Sequence, residues 1–137
     1  MPKLIVETYP ELMALHKALL RVRFADPPID PLIPASPYLA KIANEIIELL
    51  HQHEIERNRL DFMDWHVKID PNGQVWTIAK RNVIDACGEF WNSWTSEQKR
   101  ENSRIFLSPF QYSEDVLDKF VREIDELTRD ELKFTGL

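Results

Sequence analysis

Apolar residues in this chain recur mostly at three- and four-residue steps, the signature of amphipathic helices. Leu12, Leu15, Leu19 and Val22 form one such stripe. Thr8 in front of it is placed to cap the amide of Glu11 while that carboxylate reaches back. The stripe ends near Phe24, and Pro27, Pro28, Pro31, Pro34 and Pro37 then punctuate a stretch that regular helix cannot occupy. Each proline lacks an amide donor and pushes its predecessor toward extended geometry. Ile29, Leu32 and Ile33 lie in that stretch, so it is expected to be a stiff connector lying on the core and not a domain boundary. Ser36 and Pro37 supply a cap and a first turn for a second helix. Its Leu39, Ile42, Ala43, Ile46, Leu49 and Leu50 oppose Lys41, Glu45, Glu48 and Gln52, and the pattern fades after Ile55.

The period then changes. Trp65, Val67 and Ile69 alternate with His66, Lys68 and Asp70, turn residues Asp70-Pro71-Asn72-Gly73 follow, and Val75 to Ala79 comes next. This predicts a β-hairpin over about residues 65–79. A two-residue Asn-Gly turn pairs Ile69 with Trp76, whereas a type I turn through Pro71 and Asn72 with Gly73 left-handed pairs Ile69 with Val75. Pro71 suits the first central position of the second turn, so that register is preferred. It places Trp76 and Ile78 on one face with His66 and Lys68. Leu4 to Val6 is a candidate third strand.

Helical spacing returns at Val83, with Ile84, Cys87, Phe90, Trp91 and Trp94 on one face. Residues 95–104 hold no large apolar group, so the Thr95/Gln98 capping box predicts only an exposed turn of helix. Ile105, Phe106 and Leu107 re-enter the core, Pro109 breaks the chain, and Ser113 caps a last helix bearing Val116, Leu117, Phe120, Val121, Ile124 and Leu127. Asp118 with Arg122 and Asp125 with Arg129 are spaced as i,i+4 pairs. The expected fold is therefore mainly α: four to five helices around one core in a single domain over residues 1–137, with the hairpin inserted between the second and third helices.

Composition narrows the class. The 17 basic and 23 acidic residues give a net charge of −6. Residues 105–137 alone carry 4 basic against 8 acidic side chains, so most of the negative field belongs to the last helix. That balance disfavours a phosphate backbone as partner. No uninterrupted apolar run approaches the ~20 residues of a membrane helix, so no membrane is expected. The single cysteine and the lack of a leader-like amino terminus point to a reducing cytoplasm.

Candidate chemistry is sparse. Glu48-x-x-His51 puts a carboxylate and an imidazole on one helix face, as carboxylate-bridged metal sites require, and His53 is close by. A second such step is missing, and His51 and His53 diverge by about 200° on a helix. A small metal-dependent enzyme using Glu48, His51 and His53 is therefore an alternative and not the leading reading; no metal and no cofactor is expected. Cys87 lies inside an apolar stripe, where a thiol is inert. His16 sits between Leu12 and Leu19, where a histidine tucked beside the core is expected, and an acid-base reading of Asp64 with His66 is discounted. Lys80, Arg81, Lys99, Arg100 and Arg104, with Trp76 for stacking, give a second alternative, a weak nucleic-acid-binding accessory protein. These bases stand among acids, which favours a solvated surface.

What remains is a non-catalytic protein-binding module: a small acidic adaptor, inhibitor or immunity-type protein. Its expected contacts are the outward hairpin face, Trp65, His66, Lys68 and Trp76, and the acidic last helix, Asp118, Glu123 and Asp125. Such a surface suits a basic protein partner. A homodimer through leftover apolar surface is compatible with this reading.

Overall fold

The computed structural model describes residues 2–57 and 68–134. These residues form six helices: α1 (Tyr9–Arg23), α2 (Leu32–Ala35), α3 (Pro37–Glu56), α4 (Gln74–Trp91), α5 (Ser96–Leu107) and α6 (Glu114–Phe134). The mainly helical class is as expected. Among the described residues no helix is long and apolar enough to cross a membrane.

Local signals set the helix starts. Thr8 Oγ1 accepts from the Glu11 amide and donates to the Glu11 carboxylate, Ser36 Oγ accepts from Leu39, and Ser113 Oγ accepts from Val116. Thr95 and Gln98 close a full capping box. Each of these satisfies an amide that the first turn leaves without an intrahelical partner.

The second strand of the expected hairpin is not a strand. Residues 75–79 belong to α4, and the first strand's residues 65–67 lie outside the described residues. The Asp-Pro-Asn-Gly turn exists, with Asp70 Oδ1 accepting from the Asn72 amide and Asp70 O from Gly73, but it feeds a helix. Gly73 sits at φ −90°, not left-handed. Its requirement is space: a Cβ there would come within 3.2 Å of Asp70 O. Trp76, Ala79 and Val83 fall at i, i+3 and i+7 and are all buried, so helical spacing, extended over enough residues, overrides the β-branched flavour of a five-residue run. Lys68 makes only an isolated parallel bridge with Gln111. Residues 4–6 are irregular, with Leu4 and Ile5 exposed, so they add no strand.

Two more expectations are corrected. Residues 96–107 make a complete twelve-residue helix, because its inward positions are the small Ser103 followed by Phe106 and Leu107, while Lys99 and Arg100 bond to α6. The proline-rich connector, expected to exclude helix, holds the single helical turn α2 with Pro34 inside it, and it touches the interior through Pro34, Ile33 and Ala35 but leaves Ile29 and Leu32 exposed.

The buried apolar residues fall in two clusters. The larger joins Ile69, Trp76, Ala79, Val83 and Trp91 to Phe106, Leu107, Leu117, Phe120 and Ile124, centred between α4, α5 and α6. The smaller is Ile46, Ile47 and Leu50 of α3 against Tyr9, Leu12, Met13, Leu15 and Leu19 of α1. Polar groups join the two. Arg23, at the end of α1 and 1% exposed, donates to Ile105 O at 2.5 Å, to Pro34 O, and to Ser108 O. Its guanidinium thus caps the carboxyl end of α5, where the helix dipole favours a cation. Desolvation lowers its pKa to about 10, which leaves it charged at neutral pH. Asn82 Nδ2 donates to Arg23 O, and Asn44 Nδ2 to Ser108 Oγ.

Candidate functional site

The acidic last helix is not a free surface. Glu123 and Asp125 lie about 100° to either side of buried Ile124 on α6. Glu123 Oε1 accepts from the Trp76 indole at 3.0 Å and from Lys80 Nζ at 2.8 Å. Asp125 Oδ1 accepts from the Trp91 indole and from Lys99 Nζ, both at 2.8 Å, and Lys99 also lies 5.4 Å from the Trp91 ring centroid. In each triad a carboxylate is shared by a tryptophan of α4 and a lysine. Arg100 bonds Asp118, and Arg104 bonds Glu114 at 2.9 Å, forming two rungs of a ladder between α5 and α6. Arg81 bonds Asp26. The two short basic clusters of the sequence are therefore matched to acids of the same chain.

This alters the expected partner set. Trp76 is 1% exposed, so it is a core residue and no anchor for a partner. Asp118, Glu123 and Asp125 hold cations within the fold in place of the i,i+4 partners Arg122 and Arg129. Lys68 is exposed. Trp65 and His66 lie outside the described residues, as does Asp64. The structure thus brings Trp76 to Glu123, but in a structural seam, and gives Asp125 to Trp91 instead. Burial works to raise the Glu123 pKa, but the hydrogen bonds from Lys80 and Trp76 and the charges of Lys80 and Lys119 together outweigh it, so the net shift is downward. An ionised carboxylate with its lone pairs engaged is a poor proton shuttle.

The other chemical candidates are dispersed. His53 stacks on Tyr9 with ring centroids 4.2 Å apart, Glu48 is exposed, and His51 is half-buried. Among the described residues no three His, Cys, Asp or Glu side chains converge to hold a metal. His16 and Glu54 are buried on α1 and α3. Half-buried Cys87 has its thiol pKa pushed up by desolvation, away from the nucleophilic thiolate. A groove of about 490 Å³ runs between α3 and α5, lined in part by Lys41, Asn44, Glu45, Glu48, Arg104 and Ser108.

The feature that the sequence pattern did not single out is on α3. Its inward face is Ala40, Ala43, Ile46, Ile47 and Leu50, with Glu54. Tyr38, Ile42 and Leu49, at i, i+4 and i+11, share another face and are 79%, 43% and 50% exposed. Ile42 and Leu49, expected in the core, are thus outside it. The signal was present, because the apolar residues of α3 cover more of its circumference than its neighbours α1, α2 and α5 bury. Compared with known proteins, the chain matches no family model, no curated protein and no solved structure.

Proposed function

We propose that this chain is a non-catalytic protein-binding module, of the adaptor, inhibitor or immunity type, and that it meets its partner through the outer face of α3. The observation that carries this reading is the exposure of Tyr38, Ile42 and Leu49 along one side of a twenty-residue helix. Single exposed apolar residues are ordinary, but a row of them on one rigid face is what docking surfaces present. A helix offers its side chains at fixed spacing, so a partner helix or groove can read positions 38, 42 and 49 as anchors. The charges at the α4–α6 seam are already bonded within the chain, which moves the docking role away from the acidic helix and onto this face.

The test is a photoreactive residue placed at Leu49 and, as a control, at exposed Glu97 of α5, with both variants irradiated in cells. A discrete adduct from position 49, and none of the same mass from position 97, is the expected result. Equal labelling from both positions, or no adduct from position 49, contradicts it.

A further inference from the structure

The α3 face carries more information than its hydrophobicity. Tyr38, Ile42, Glu45 and Leu49 follow one another at steps of four, three and four, which is the spacing of a coiled-coil seam. Beside that seam, seven residues apart, stand Lys41 and Glu48, both exposed. These two charges are opposite, and their order selects a partner and a direction.

Two copies of α3 can be laid against each other in parallel or antiparallel. In parallel, Glu45 meets Glu45 across the seam, and Lys41 and Glu48 are directed at positions 46 and 53 of the other helix, where Ile46 is buried against α1 and His53 is stacked on Tyr9. That arrangement sets like charges together and satisfies none. Antiparallel, with Tyr38 of one copy over Leu49 of the other, Ile42 packs beside the stem of Glu45, and Lys41 lies opposite Glu48 at both ends of the contact. Both flanking charges then meet their opposites, and one residue pattern completes itself about a two-fold axis, as an isologous interface requires. Glu45 in the seam lowers the strength of the pairing but fixes its register.

We propose that the occupant of the α3 face is a second copy of this chain, with its α3 running antiparallel to the first. This rests on the reading of α3 as a docking face and names the partner of that same site. A few side-chain layers bury far less than the ~1,200 Å² at which stable interfaces begin, so the association is weak, reversible and concentration-dependent.

Sedimentation velocity on the full chain, from micromolar to millimolar protein, tests it by charge exchange. Wild type shifts from monomer toward dimer with concentration. Lys41→Glu and Glu48→Lys, each alone, set like charges opposite each other twice and weaken self-association at least about tenfold. An equimolar mixture of the two variants restores dimer, now as the mixed species, because an acid again faces a base between positions 41 and 48 at both ends of the contact. Both positions are exposed, and unchanged circular dichroism and urea midpoints verify the folds. The same charge changes at exposed Lys17 and Glu97 leave the wild-type dimer unaltered. Wild type that stays monomeric at millimolar protein, a mixture that fails to recover, or a Lys17→Glu and Glu97→Lys pair that behaves like the α3 pair overturns the proposal. A monomeric chain that still gives a discrete adduct of another mass from position 49 removes the second copy but keeps the docking face. Loss of both signals removes the face as well.

Discussion

The α4–α6 bundle and the α1/α3 pair are made of similar residue types, yet they finish their packing differently. In the bundle, α4, α5 and α6 enclose Trp76, Trp91, Phe120 and Ile124 on all sides, and Glu123, Asp125 and Asp118 of α6 each hold a cation from α4 or α5. Two indole N–H groups are bonded as well, so the polar groups of the seam are paired within the chain, while Phe90 of α4 and Leu127 of α6 stay exposed. The α1/α3 pair buries three α3 residues, Ile46, Ile47 and Leu50, on one side and leaves Tyr38, Ile42 and Leu49 on the other. Between the two regions stands Arg23 with its carbonyl partners. The contrast underlies the proposal made for α3, whose exposed apolar row lies on one rigid helix face, whereas the carboxylates of the α4–α6 seam are already bonded within the chain.

Damage to the bundle should be the most costly. Trp91→Ala should cost about 3–5 kcal/mol, the range for truncating a buried aromatic, and should shift the urea midpoint of the whole transition. Leu50→Ala on α3 should cost about 2–5 kcal/mol, and hydrogen exchange should show α1 and α3 loosened more than α4 to α6. The Arg23 joint comes next. Arg23→Ala should lose about 2–3 kcal/mol, because charge-assisted bonds to Ser108 O, Ile105 O and Pro34 O disappear together. Arg23→Lys should recover less than half of that, since one ammonium does not reproduce the planar fork. Native-state exchange on Arg23→Ala should show the α1 amides losing protection before those of α4.

A smaller effect is pH-dependent. Glu123 has a folded pKa below its ordinary 4.5, so the unfolded chain binds its proton more tightly. Its contribution is therefore complete above that value and is lost as pH falls through the lower folded value. Glu123→Gln should lower stability at neutral pH and flatten the acid limb of the profile, so that variant and wild type converge as pH falls below the folded value. The smallest expected effect is at Ser103, whose buried hydroxyl has no hydrogen-bond partner among the described residues. Ser103→Ala should be neutral or stabilising by up to about 1 kcal/mol in urea unfolding.

What could be read from the chain follows from the range of each signal. The caps at Thr8, Ser36, Thr95 and Ser113 are contacts over three residues, and all four are visible in the sequence and in the structure. Val75 to Ala79 misleads because Val, Trp, Thr and Ile favour strands and five residues are too few to separate a period of two from 3.6. Following Trp76 through Ala79 and Val83 to Trp91 would have identified the helix. Helix α5 is obscured for another reason: Lys99 and Arg100 hold their places by reaching acids on α6, a partnership between distant segments that no local pattern shows. Arg23 does leave a trace, since it continues the Leu12, His16, Leu19 line at a position where a basic residue is out of character. The site is least legible on α3, where apolar residues on both sides give no way to tell which side the fold will cover.

For α3 to dock anything, its outer face must be surplus to folding. That requirement is measured by the urea midpoint, at protein concentrations low enough to keep the chain monomeric, of the double variant Tyr38→Gln with Leu49→Gln, since glutamine preserves helix propensity. The expected free energy of unfolding is within about 0.5 kcal/mol of wild type, as for surface substitutions. A loss of more than about 2 kcal/mol, comparable to truncation at Leu50, would place these side chains in the core and contradict the docking face.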